Sequence, residues 1–379
     1  MKKNLFSQRM EGIEKTLIRE IHDKADPSCV DLGLGQPSFS TPSAILNHLK
    51  KNINDWNLGY SPNAGFPELR EVIAENSGLD VSSEQVCVTV GAEEALFSIL
   101  MVTLDPGDEV LIPDPGFPAY ESLVKIAGGT PRKYPLRREN NFSLTHEDIV
   151  KAVTPETKVV LINSPNNPTA AVYSQQELKK LAGFMEDQDV WVISDEVYRE
   201  LYYEEKPASV APYLSRCVVI NSLSKTFSMT GWRLGWCIGP SDLIQLMVKF
   251  NQLAVICAPV VSQKAGIFAL KGLADKEKEE NLKELHRRRE TALRCMDEWT
   301  DLDYITPRGT FYLFVDVRDR MEKYGGSLDM CLKLLSEEKL VTIPGVAFGR
   351  GGEGYLRLSF AAPPPSIEEG IRRLSRFFK

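Results

Sequence analysis

Between residues 86 and 238 the chain alternates short apolar runs with stretches whose apolar residues recur every three to four positions. Val86-Cys87-Val88-Thr89-Val90 reads as a strand. Ala92 to Leu104 reads as a helix, with Leu96, Ile99, Leu100 and Val102 clustered on one face and Asp105-Pro106-Gly107 stopping it. Further strands are expected at Glu109–Pro113, Lys158–Asn163, Val190–Ser194, Cys217–Asn221 and Leu234–Ile238. Ser174-Gln175-Gln176-Glu177 has the form of a capping box, followed by Leu178, Leu181, Ala182 and Met185 at helical spacing. Runs that are apolar throughout belong to strands covered on both faces, and their alternation with helices gives βαβ units. The expected fold is therefore α/β, with a mostly parallel, doubly covered sheet in a large domain.

The last third reads differently. Strands are expected at Thr310–Val317 and Tyr355–Phe360, among helices near Lys276–Trp299, Leu328–Glu338 and Ser366–Phe378. This suggests a smaller α+β domain. Residues 1–40 lack a strong core pattern and are expected to pack against it. The chain thus divides into an N-terminal segment (1–40), a large domain (41–270) and a small one (271–379), with no Pro/Gly/Ser linker at the join.

Composition narrows the function classes. With 379 residues, 43% of them hydrophobic and 26% charged, the chain can bury a large core without a disulfide or metal staple. A net charge of −7 argues against a general nucleic-acid binder. No run approaches the ~18 apolar residues of a membrane span. The opening Met1-Lys2-Lys3-Asn4-Leu5-Phe6 has no apolar run after its lysines, so no secretory signal is expected. Seven cysteines without a CxxC suit reduced, mostly buried thiols in a cytoplasmic protein. The four histidines show no metal-ligand spacing, and no metal is expected. Arg287-Arg288-Arg289, with acidic neighbours, reads as a solvated helical face. Gly349-Arg350-Gly351-Gly352-Glu353-Gly354 reads as a mobile loop leading into the Tyr355 strand.

In open α/β sheets, ligands gather beyond the carboxyl ends of the parallel strands. Polar clusters follow four of the expected strands: Gly91-Ala92-Glu93, then Ser164-Pro165-Asn166-Asn167-Pro168-Thr169, then Asp195-Glu196-Val197-Tyr198, then Ser222-Leu223-Ser224-Lys225 with Arg233 eight residues on. The Gly91 helix start, Ser222 and Arg233 could hold an anion. A lysine near cationic or desolvating groups can react as a neutral amine and form a Schiff base. Pyridoxal phosphate needs this combination: a phosphate site, a lysine for its aldehyde, and an anion (Asp195) for its pyridine nitrogen. Asn167 and Tyr198 could donate to its phenolic oxygen.

On these residues the sequence resembles, over nearly its whole length, the pyridoxal-phosphate aminotransferases with the aspartate-aminotransferase fold. Leu32-Gly33-Leu34-Gly35-Gln36-Pro37 resembles the family's N-terminal glycine motif, and Gly35 is then implied to contact the substrate carboxylate through its backbone. Tyr60, in Gly59-Tyr60-Ser61-Pro62-Asn63-Ala64-Gly65, matches a tyrosine that reaches the neighbouring subunit's cofactor phosphate, which implies a homodimer. Gly91, Ala92 and Glu93 match the backbone phosphate site, and Phe117 the aromatic that stacks on the ring. Asn167, Asp195, Tyr198, Ser222, Lys225 and Arg233 match cofactor-binding and Schiff-base positions. Arg357, in Tyr355-Leu356-Arg357-Leu358-Ser359, matches the arginine that grips the α-carboxylate, with Asn167 beside it. The resemblance implies amino-group transfer from an L-amino acid to a 2-oxo acid, 2-oxoglutarate by default, by ping-pong kinetics, with Lys225, Asp195 and Tyr198 at the chemistry. Two departures stand out. Ala170 replaces the family's usual glycine after Asn-Pro-Thr, which bears on the loop's geometry. Glu93 stands where some aspartate-using relatives have lysine, which disfavours a dicarboxylate donor.

The alternatives separate by observable outcomes. A pyridoxal-phosphate lyase or decarboxylase would keep Lys225 and Asp195 but release ammonia with pyruvate, or CO₂. A ligand-sensing module fused to a DNA-binding segment would need a basic winged-helix stretch before the Gly35 motif. A nicotinamide dehydrogenase would need a complete GxGxxG after a strand, which Gly33-Leu34-Gly35 does not supply.

Overall fold

The computed structural model describes residues 6–379. Residues 1–5, most of the stretch read against a secretory signal, lie outside the described residues. The first strand, β1 (Val30–Asp31), pairs far along the chain. Seven strands then build a large sheet: β2 (Val86–Thr89), β3 (Glu109–Asp114), β4 (Thr130–Pro135), β5 (Thr157–Asn163), β6 (Trp191–Asp195), β7 (Cys217–Ser222) and β8 (Gly235–Ile238). Their order is β2-β8-β7-β6-β5-β3-β4. From β7 across to β4 all neighbours are parallel. β8 runs antiparallel to both β7 and β2. The β7–β8 connection contains only a four-residue helix, Leu223–Thr226, and a short turn at Thr230–Trp232. It cannot carry the chain back to the far end of the sheet, so β8 returns alongside β7.

Alternate residues of the central strands feed two cores. Val159 and Leu161 point, with Val110 and Ile112, into the core beneath Leu96, Ile99 and Leu100 of the Ala92–Thr103 helix. Val160 and Ile162 point, with Leu111 and Val192, into the core beneath Leu178, Leu181 and Met185 of the Gln175–Glu186 helix. The continuous apolar runs thus reflect burial on both faces. β4 escapes the periodicity because only its Tyr134 is buried, and it carries Pro131 and Pro135. As an edge strand it has a free ladder side, where proline's missing N–H is tolerated.

The C-terminal part forms a second, antiparallel sheet from β9 (Tyr304–Ile305), β10 (Tyr312–Asp316), β12 (Ile343–Pro344) and β13 (Tyr355–Ser359), in the order β12-β13-β10-β9. β11 (Leu340–Val341) pairs in parallel with β1. Ile21 and Leu32 are buried in the same core as Leu340, Val341, Ile371 and Leu374. Helices Asp275–Trp299, Ser327–Glu338 and Pro364–Phe378 cover it.

Two expectations need correction. Arg288 is not solvated: it is 7% exposed, and it donates to Ser38 Oγ (2.8 Å), the Ala361 carbonyl and Glu284. Arg287 alone keeps the solvated character, beside Glu284. Ser174 does cap its helix by accepting from the Glu177 N–H (3.2 Å), but the reciprocal half of the box is missing. The Glu177 carboxylate instead accepts from the His146 backbone N–H (2.9 Å) and meets its ring. This brings His146, Glu147 and Glu177 together on the surface, a grouping invisible in the histidine spacing. All seven cysteines are free thiols, five of them buried. No helix among the described residues is long and apolar enough to cross a membrane.

Candidate active site

The strand order reverses between β3 and β5: β3 leads outward to β4, and β5 inward to β6. Ligand crevices open beyond the carboxyl ends at such a point. A cavity of about 250 Å³ lies there. It brings together Gly35, Ala92, Glu93, Phe117, Asn167, Asp195, Tyr198, Ser222, Lys225, Arg233 and Arg357. Gly91 adjoins it through Arg233. Tyr60 stands apart, 82% exposed on the surface. A cavity of about 270 Å³ on the other side of Ser222 offers no comparable chemistry. The charges reaching it are already paired: Arg199 with Glu196, Lys206 with Glu200, and Lys278 with Asp275.

At one end two glycines make a cradle. Gly91, the N-cap of the Ala92–Thr103 helix, has φ +81°, and a Cβ on it would fall 2.5 Å from Arg233 Nη2. A Cβ on Gly235 would fall 2.5 Å from the Gly91 carbonyl carbon. The missing side chains let the Arg233 guanidinium lie against the helix N-terminus, where backbone N–H groups and the dipole favour an anion. Arg233 Nη1 donates to the Thr230 carbonyl (3.0 Å), and no carboxylate pairs with this arginine among the described residues. Ser222 Oγ accepts from the Ser224 N–H (3.3 Å), leaving its own O–H to donate.

In the middle, Asp195 is buried at the end of β6. Its Oδ2 accepts from the Tyr120 hydroxyl (2.7 Å) and its Oδ1 from the Val197 N–H (3.2 Å). Burial pushes its pKa up, against the pull of these two donors and of Lys225. Phe117 meets Tyr120 edge to face (5.5 Å). Asn163 ties two strand ends: its amide donates to the Asp195 carbonyl (3.0 Å) and its Oδ1 accepts from the Asn167 N–H (3.0 Å). Lys225 as a whole is half-buried, but its amine is enclosed and donates to the Gly35 carbonyl (2.8 Å). Desolvation, then the charges of Arg357 and Arg233, bring its pKa down to about 8, with Asp195 opposing them.

At the other end Arg357, in β13, is 1% exposed. Its Nη1 donates to Asn167 Oδ1 (3.0 Å) and its Nη2 to the Gly33 carbonyl (2.7 Å), while Nε has no partner. The guanidinium lies over the Tyr312 ring (4.3 Å) and near Phe348 (4.9 Å). Burial lowers its pKa, since a cation without an anion is costly to desolvate. Tyr198 and Tyr312 share a hydrogen bond between their hydroxyls (2.8 Å). Ala170 adopts the left-handed conformation that glycine would favour, φ +58°. Its N–H bonds the Asn166 carbonyl (2.9 Å), and its carbonyl accepts from Gly309 (3.1 Å), so the turn survives the substitution. The glycine-rich stretch is not part of the cavity; it closes on the end of β3, with the Gly351 N–H donating to Asp114 Oδ1 (2.8 Å).

Sequence reasoning missed Tyr120, Tyr312 and Asn163. Tyr312 and Asn163 sit at strand ends read only as core; Tyr120 lies on the Ala119–Ala127 helix, whose pattern passed unrecognised.

The fold and this cavity define a class, and comparison with known proteins names it. Residues 27–374 match the family model for aminotransferase class I and II. The chain is 36% identical, over 99% of its length and 100% of the relative's, to a probable aspartate aminotransferase of Methanocaldococcus jannaschii. It is 35% identical, over 99% and 98%, to an aromatic-amino-acid aminotransferase of Thermococcus litoralis. Its fold superposes on Thermus thermophilus aspartate aminotransferase with maleate, with a TM-score of 0.93, 30% identity and coverage of 99% and 100%. The chain belongs to the class I and II aminotransferases and is an enzyme of that family. The family depends on pyridoxal phosphate. The cavity fits that group: a glycine-lined cradle with an unpaired arginine for a phosphate, Asp195 for a ring nitrogen, and an enclosed amine for an aldehyde.

Proposed function

We propose that the protein transfers the amino group of an L-amino acid to a 2-oxo acid, with 2-oxoglutarate the first acceptor to test, by ping-pong kinetics in a cytoplasmic homodimer. The observation that carries this reading is the buried Arg357 guanidinium, without an anion and with a free Nε, across one cavity from an amine depressed to about 8. The backbone N–H groups of Gly91, Ala92 and Glu93, with the Ser222 hydroxyl and the Arg233 guanidinium, would hold the cofactor's phosphate, Phe117 its ring face, and Asn167 and Tyr198 its phenolic oxygen. Pyridoxal phosphate supplies an aldehyde that condenses with amines and a ring that accepts the electron pair left at the substrate's Cα.

The chain's own residues do the rest. Arg357, braced by Asn167 and Gly33, binds the α-carboxylate as a fork and orients the Cα. Lys225 would take the Cα proton onto Nζ, and the same amine would return it to the cofactor's aldehyde carbon, two bonds away across the substrate nitrogen. The Asp195 carboxylate would face the ring nitrogen and favour its protonated form, and the hydrogen bonds from Tyr120 and the Val197 N–H favour the ionised carboxylate against the upward push of burial on its pKa. Gly35 offers backbone polar groups beside the carboxylate. A division into a large domain (41–270) and a small one (271–379 with 1–40) goes with this reading, because Arg357 then comes from the small domain and can close on substrate.

Lys225→Ala tests it. The variant should keep its circular dichroism and melting profile but lose transamination by ~10²-fold to ~10⁴-fold, the range of a lost acid–base group. Normal turnover by the variant would sink the mechanism. Release of ammonia or CO₂ by the unmodified enzyme, without amino exchange, would favour the lyase or decarboxylase alternative.

A further inference from the structure

We propose that Tyr312 is a positioning residue for Tyr198: it donates its proton to the Tyr198 oxygen and so leaves the Tyr198 O–H to bond the cofactor's phenolic oxygen. This rests on the proposed function, which places that oxygen beside Tyr198 and Asn167. Both tyrosines line the cavity and both are buried. Their hydroxyls lie 2.8 Å apart, and neither has another hydrogen-bond partner among the described residues. One hydrogen bond uses one of the two protons and leaves the other free. If Tyr198 gave its proton to Tyr312, it would present only lone pairs to the cavity, and two electron-rich oxygens would face each other there.

The surroundings set the direction. Strands β10 and β13 pair with Phe314 opposite Arg357, which makes Tyr312 and Arg357 diagonal neighbours on one face. The guanidinium accordingly lies 4.3 Å from the centre of the Tyr312 ring. Burial raises the pKa of both phenols, but the Arg357 charge pulls Tyr312 back down. Tyr198 is raised further by Tyr312, while Arg357 and Asp195 pull it in opposite directions. Tyr312 is thus the more acidic hydroxyl and the better donor. A hydroxyl that accepts a bond also donates more strongly. The second donor is set in the same way: Arg357 Nη1 holds Asn167 Oδ1 (3.0 Å), which leaves the amide N–H₂ of Asn167 to donate. Each donor to the phenolic oxygen is oriented from behind, one by Arg357 and one by Tyr312.

The test is a pH titration of the holoenzyme, followed by the visible absorption of the lysine-bound cofactor. It compares the native protein, Tyr198→Phe, Tyr312→Phe and the double variant. The charged neighbours of Lys225, namely Arg357, Arg233 and Asp195, are the same in all four. Losing the proton from the lysine-bound nitrogen leaves the negative charge of the phenolic oxygen unscreened, so donors to that oxygen lower the pKa. Tyr198→Phe should raise it by roughly one unit and Tyr312→Phe by roughly half a unit. Tyr312→Phe keeps the ring beneath Arg357 and removes only the hydroxyl. In the double variant it should add nothing to the effect of Tyr198→Phe, because Tyr312 acts through Tyr198. An unmoved pKa in Tyr312→Phe, or a shift that persists in full in the double variant, would overturn the role while leaving the proposed function standing. A native protein that never developed the titrating absorption would sink the proposed function and this role with it.

Discussion

Lys225 shows how a single side chain acquires its reactivity from its surroundings. Burial and two arginines lower its pKa from 10.5 to about 8, so the neutral amine becomes abundant as pH rises through about 8 rather than two units higher. The rate at which cofactor-free protein captures pyridoxal phosphate should therefore climb with pH and level off above about 8. After burial, Arg357 is the largest contributor, so Arg357→Leu should raise the Lys225 pKa and move the plateau to higher pH. Stopped-flow absorbance at a series of pH values reads both. An unmoved plateau in the variant would show that Arg357 does not tune the amine. Lys225 and Arg357 were visible in the sequence because each follows or sits within a recognisable strand and belongs to an ordered set. Tyr120 was not. It looks like an ordinary aromatic until the fold places its hydroxyl 2.7 Å from Asp195.

The proposed phosphate cradle belongs to elements rather than to residues: the start of one helix, the end of β7 and the start of β8 must converge. The strand and helix periodicities announced each of these pieces to within about a residue, because burial on both faces leaves an unbroken apolar run. Their antiparallel junction was hidden, since pairing direction depends on the length of the β7–β8 connection. So was the role of Gly235, a residue with no side chain to advertise it. Gly91→Ala would place a methyl group 2.5 Å from Arg233 Nη2 and force a non-glycine residue to φ +81°. We expect pyridoxal phosphate affinity to fall by at least roughly tenfold, the cost of a strained left-handed residue plus a displaced guanidinium. Gly235→Ala should act in the same direction. Cofactor titration followed by fluorescence would check both, and undiminished affinity would mean that the cradle is not where the phosphate binds.

Across the whole chain, the pairing of β1 with β11 joins residues 30–31 to 340–341, a contact no local pattern encodes. A still longer separation, 324 residues, lies between Gly33 and its hydrogen-bond donor Arg357. Only the linear order of motifs hinted that these ends meet. One expected site residue stays outside the cavity: Tyr60 is 82% exposed. It is not isolated. Asn63 donates to the Ile256 carbonyl (2.8 Å), tying the Tyr60 segment to the turn that carries Ile256. Leu58, Leu253 and Ile256 are exposed there as well, at 49%, 87% and 42%. Exposed apolar side chains grouped in this way suit a protein interface. In the proposed homodimer Tyr60 would serve the neighbouring cavity, and a hybrid dimer tests this. Pair a Lys225→Ala protomer with a Tyr60→Ala protomer. If Tyr60 crosses over, the site containing the intact Lys225 also receives an intact Tyr60, and native cofactor affinity and turnover return at half of the sites. If Tyr60 acts within its own subunit, no site in the hybrid is complete, and affinity stays at the level of the Tyr60→Ala parent. Differentially tagged protomers, purified as the mixed species and titrated with pyridoxal phosphate, distinguish the two outcomes.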